Sequence, residues 1–164
     1  MKKKQDDAVL SKDLIEFIFD AAHIQRWNDH IRPQGFTELD KQAHKMMILY
    51  VLARYEESDH DAKLDWQFMI EGGIFEFLHR IVLTDIKPPI FHELMARSGP
   101  QLNKWVYKEL ERRVPSLKGT EFMAKMKVYF DEDGHKKEKK LLSAAHYLAT
   151  EWEFRIIYRM NQGI

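Results

Sequence analysis

The sequence predicts a single all-α domain of orthogonally packed helices, and three observations predict it. Apolar residues recur at i, i+3 and i+4 along most of the chain, which is the spacing of one helix face. No run alternates with period two for long enough to make a strand. Stop signals rich in Gly, Pro, Asn and Asp divide the chain into segments of helical length. At 164 residues the chain has the size of one domain, residues 1–164, whose core needs no disulfide or structural metal.

The first helix starts after Ser11, whose hydroxyl can cap it, and Leu14, Ile15, Ile18, Ala21, Ala22 and Trp27 carry its apolar stripe to about His30. Arg32-Pro33-Gln34-Gly35 reads as a turn. Thr37, followed three residues later by Asp40, resembles a capping box and opens a second helix reaching about Glu57. A polar run from Glu56 to Lys63 separates it from an apolar segment over 64–83, in which Gly72-Gly73 marks either a kink or a break. Beyond Lys87-Pro88-Pro89, helices are predicted over 89–97, 100–113 and 120–130, punctuated by Ser98-Gly99-Pro100, Val114-Pro115 and residues 131–134. The last helix covers 136–160. The chain ends straight off it, which fits a natural terminus and the N-terminal part of a larger protein equally.

Composition narrows the partners. Lys+Arg and Asp+Glu both number 26, so the whole-molecule field is weak and neither nucleic acid nor an anionic membrane surface is the expected partner. No apolar stretch reaches the length of a membrane span, and the polar N-terminus lacks the apolar core of an export signal. With no cysteine, thiol nucleophiles, zinc ribbons and iron–sulfur ligation are excluded, and a reducing, cytoplasmic location is expected. A small molecule or a second copy of the chain remains as the expected partner.

Ionisable residues on predicted core faces point to chemistry, because burying them is unfavourable unless a partner, metal or ligand compensates. His44 follows Asp40 by one turn and precedes Met47, Ile48 and Val51 on one predicted apolar stripe. His79 accompanies Phe75, Glu76, Val82 and Leu83, and His146 accompanies Ser143, Ala149, Thr150 and Glu153. Imidazoles and carboxylates offered by separate helices are what a divalent cation takes, so His44, Glu76, His79 and His146 form one candidate metal set. Taken singly, each histidine is better explained as a core or half-buried residue bonded to a neighbouring carboxylate or carbonyl, and only their convergence would favour a metal. The adjacent His60-Asp61 pair lies in the polar run and reads as solvated surface. Arg26 and Trp27 at the predicted end of the first helix combine a cation with an aromatic face, suited to phosphate or base, and Arg80, Asp85 and Lys87 flank the Pro88-Pro89 loop. There is no Walker loop, Gly-x-Gly-x-x-Gly or Gly-x-Ser-x-Gly.

The order of these features resembles the HD-domain superfamily. Arg26-Trp27, a turn, Glu38 to His44 opening a helix, and then Ile81-Val82-Leu83-Thr84-Asp85-Ile86-Lys87-Pro88-Pro89 are most similar to the branch containing bacterial 5′-deoxynucleotidases, over residues 14–95. The resemblance implies a divalent metal (Mn, Co, Ni, Zn or Mg) with His44 as first ligand, Asp85 as loop aspartate, Arg26 orienting phosphate and Trp27, Arg80 and Lys87 lining the ligand site. Where the family has a His-Asp pair this chain has Glu76-Phe77 or Phe77-Leu78, and near its distal aspartate stands Ser143, so Glu76, His79 and His146 would substitute from neighbouring turns. Two functions follow from the resemblance: a metal-dependent phosphohydrolase acting on nucleotide-type phosphate monoesters, or a non-catalytic HD-fold module that binds a nucleotide or a protein partner. An unrelated all-helical structural protein is the third reading.

Overall fold

The structure, a computed structural model, describes residues 11–84 and 86–161, and it is all-helical over them. Its elements are α1 (Lys12–Asp20), α2 (Glu38–His60), α3 (Trp66–Leu83), α4 (Pro88–Arg113), α5 (Glu121–Asp131) and α6 (Lys136–Met160), with a 3-10 turn at Pro115–Leu117 before α5. The one extended pairing among the described residues is an isolated antiparallel bridge between Gln25 and Thr37. No helix among them is long and apolar enough to cross a membrane.

Local chemistry sets the ends of most of these helices. Ser11 caps α1 by accepting from the Leu14 amide, and the Asp13 carboxylate accepts from the Ser116 amide at 3.0 Å, tying α1 to the 3-10 turn. The Thr37–Asp40 capping box at the start of α2 is complete: each side chain accepts from the other residue's backbone amide. α2 runs to His60 and stops at Asp61 in the left-handed conformation, with His60 and Asp61 both exposed at the helix end. Across residues 72 and 73, α3 continues without a break. α4 is two helical stretches joined across a kink at Ser98 (φ −143°), two residues before Pro100, where the sequence places the break between 89–97 and 100–113.

α1 departs from expectation, ending at Asp20 rather than near His30. Past it the chain makes short turns and is then drawn to the start of α2, where the Arg26 amide donates to Phe36 O (2.8 Å) and the Glu38 amide to Ile24 O (3.0 Å). Trp27 takes a positive φ of 58°, a conformation no helix continues through. The apolar spacing persists because Ala21 is still buried; burial outlasts the helix.

α3 forms the centre. It is apolar on nearly every side, burying Met69, Phe75, Leu78, Ile81 and Val82, and it packs against α1, α2, α4, α5 and α6. Leu14 and Phe17 of α1, Leu49 of α2, Val106 and Leu110 of α4, Met123 and Met126 of α5 and Leu142 of α6 complete the core.

Candidate functional site

The first half of α2 turns a charged stripe inward. Glu38, Lys41 and Lys45 lie at i, i+3 and i+7 in register with the buried Leu49 and Ala53. Lys41 is 6% and Lys45 3% exposed, whereas Met47 and Val51 are 74% and 64% exposed. The side of α2 that looks apolar in its first turns is therefore the outer one, and His44 goes with it: its ring packs edge-on against Trp152 of α6, 4.6 Å between centroids.

Opposite this stripe is a cavity of about 370 Å³, within the roughly 300–1,000 Å³ typical of small-molecule sites. Lys41 and Lys45 of α2, Glu76, His79 and Arg80 of α3 and His146 of α6 supply its polar lining. Phe77, Phe91, Phe130 and Tyr147 give it aromatic walls, and the exposed Tyr147 and His92 on its lining carry it to the surface.

Arg26 closes the inner end. Its Nη1 donates to Glu38 Oε1 at 2.6 Å and its Nε to Glu153 Oε2 at 3.0 Å, with all three side chains buried. Burial works against the Arg26 charge, but Glu38 and Glu153 outweigh it and raise the pKa. Trp27 Nε1 also donates to Glu153, at 3.0 Å. Glu76 accepts from Lys45 and from the Tyr129 hydroxyl. His79 Nε2 pairs with Asn103 Oδ1 at 3.1 Å, and burial lowers its pKa.

Two cations are less fully compensated. Lys41 forms no ion pair with a carboxylate among the described residues; its Nζ lies 3.3 Å from Nε2 of His146. Burial, followed by Arg26 and Arg80 acting against Glu38 and Glu153, lowers the Lys41 pKa to about 7. Burial first, then Lys41, Lys45, Arg26 and Arg80, pushes His146 far below its ordinary value, so the imidazole is neutral and accepts from Lys41. Arg80 donates from Nη2 to Ile86 O at 3.0 Å and stacks over Phe91. Its buried Nε makes no hydrogen bond, standing 3.6 Å from Glu38 Oε1.

Arg26, Glu76, His79, Arg80 and His146 thus line one cavity, while three of the expected site residues do not join them. His44 faces away against Trp152, Trp27 serves Glu153, and Lys87 pairs with Asp29 at 2.7 Å on the surface. Asp85 lies outside the described residues. The expected metal set does not assemble: no group of three or more His, Cys, Asp or Glu side chains among the described residues is placed to hold a metal ion. Nor does the donor chemistry fit one, because Glu76 and His79 already have partners and His146 sits among four cationic side chains. Lys41, Lys45 and Glu153, which the sequence reading did not assign to the site, are central to it. The signal for the two lysines was their register with Leu49 and Ala53.

Comparison of the chain with protein-family models, with curated proteins and with solved structures finds no match.

Proposed function

We propose that the protein binds a small metabolite carrying a phosphate or carboxylate group, in the cavity between α2, α3 and α6. The Lys41 ammonium carries this reading: Lys41 lines the cavity together with Arg80, and its Nζ is bonded to His146 with no carboxylate partner among the described residues. The ammonium has three N–H donors and His146 accepts one of them, so an anion in the cavity would supply an acceptor for the others. The aromatic walls give a ring or apolar body somewhere to lie. A nucleoside monophosphate combines both features and belongs to the substrate class that the HD-domain resemblance implies. This reading requires binding, without turnover.

Calorimetric titration with inorganic phosphate, a dicarboxylate and a set of deoxynucleoside monophosphates tests it. At least one should bind, and Lys41→Met should weaken it about 10- to 100-fold, the worth of one hydrogen bond to a charged group at roughly 1.5–3 kcal/mol. Wild-type protein that binds none of the three anion types would sink the proposal.

A further inference from the structure

Lys41 is placed to do more than attract an anion. Of the two buried lysines on the cavity wall, Lys45 is neutralised by Glu76, whereas Lys41 has no carboxylate partner among the described residues and contacts the neutral His146 imidazole. A lysine desolvated beside other cations is the arrangement that makes an amine nucleophilic. Lys41 and Arg80 line the same cavity of about 370 Å³, which gives a carbonyl compound room beside the amine and a cation for its anionic group.

We infer that Lys41 condenses with the carbonyl group of an anionic aldehyde or keto acid held in the cavity, forming an imine. The inference rests on the anion site proposed above. The unprotonated Nζ attacks the carbonyl carbon; the C=O π bond opens, and its oxygen takes up, through solvent, the proton that the nitrogen loses, to give a carbinolamine. The second N–H proton reaches the departing hydroxyl in the same way. The C–O bond breaks, one water leaves and the C=N bond forms, so amine plus carbonyl gives imine plus water with no oxidant or reductant. Burial and the neighbouring Arg26 and Arg80 support this by bringing the amine to about half neutral near pH 7.

The test incubates the full chain with pyridoxal 5′-phosphate or glyoxylate, reduces with borohydride and maps the adducts by peptide mass spectrometry. Binding of pyridoxine 5′-phosphate, an alcohol that cannot form an imine, is measured in parallel by calorimetry. At substoichiometric reagent the label should fall on Lys41 ahead of the exposed lysines, inorganic phosphate should slow it, and Lys41→Arg should remove that site. Circular dichroism confirms that the variant is folded. Label spread over surface lysines with Lys41 unmodified, while pyridoxine phosphate binds, would overturn the nucleophile and leave the anion site standing. Absence of both binding and Lys41 labelling would overturn both.

Discussion

Arg26 shows how burial redefines a residue. A cation beside a tryptophan reads as a phosphate clamp, but here its guanidinium is divided between Glu38 and Glu153, and its place in the cavity wall is that of a neutralised strut. Removing one member of a buried ion group leaves the others uncompensated, typically at about 3–5 kcal/mol. Glu153→Ala, which strands Arg26 and also frees the Trp27 indole N–H, should lower the urea-unfolding free energy by roughly that amount. Glu153→Gln keeps an acceptor and should lose less; equal losses would show that charge contributes nothing. The residue types at this site were legible in sequence, since Arg26, Glu76, His79, Arg80 and His146 all reach the cavity. What misled was His44. Its stripe looked apolar because Met47 and Val51 share it, yet those two are exposed and the buried stripe is charged. Hydropathy ranks Lys41 and Lys45 as surface residues; only the carboxylates and imidazole gathered around them by the fold make their burial tolerable.

At the scale of elements the glycine pair in α3 is decisive. Helical periodicity placed α2 through α6 within a few residues, because their spacing and caps are local properties; it could not say whether Gly72-Gly73 breaks α3, because that depends on what packs there. The helix continues, and the glycines admit neighbours: a Cβ on residue 72 would stand 2.6 Å from Tyr129 Cε2 and 3.1 Å from Leu142, and one on residue 73 would stand 2.6 Å from the Met46 sulfur. These contacts predict different outcomes for the same substitution. Met46 is a flexible thioether and can swing aside, so the helix-propensity gain of about 0.5–1 kcal/mol should leave Gly73→Ala near neutral in thermal unfolding. The Tyr129 ring is half-locked, since its hydroxyl donates to Glu76. Gly72→Ala should therefore destabilise by about 1–3 kcal/mol and disturb anion binding through Glu76 and Lys45. If Gly72→Ala proves as stable as wild type, the close approach of α5 to α3 is not what the contacts imply.

At the scale of the whole molecule, charge balance hides a polarised interior. The chain is formally neutral, with 26 basic and 26 acidic residues, yet one cavity gathers Arg26, Lys41, Lys45 and Arg80 around His146. Stability should follow pH accordingly. His79 and His146 have lowered folded-state pKa values, so below about 6.5 the unfolded chain binds protons that the folded chain refuses, and stability falls as acidity rises. Lys41 acts in another window: between its folded value near 7 and its ordinary 10.5 the unfolded chain again holds the extra proton, so stability climbs through that range. Tyr107 and Tyr129, both raised from 10.0 chiefly by burial, reverse the trend above about pH 10, because the unfolded chain releases phenolic protons first. The optimum in urea unfolding should lie on the alkaline side, between about 8 and 10, and should move toward neutrality in Lys41→Met. Ligand binding should run the opposite way. An anion adds negative charge to the set already facing Lys41, namely Arg26, Lys45, Arg80, Glu38, Glu153 and His146, and so raises the lysine's pKa. Binding then takes up a proton above pH 7, and affinity for a phosphate monoester should drop by up to about tenfold per pH unit there. The ligand's own second ionisation, near 6, is already complete at that pH. Calorimetry in buffers of different ionisation enthalpy reads the proton uptake directly. A pH-independent affinity between 7 and 9 in wild type would mean that Lys41 is not in contact with the bound anion.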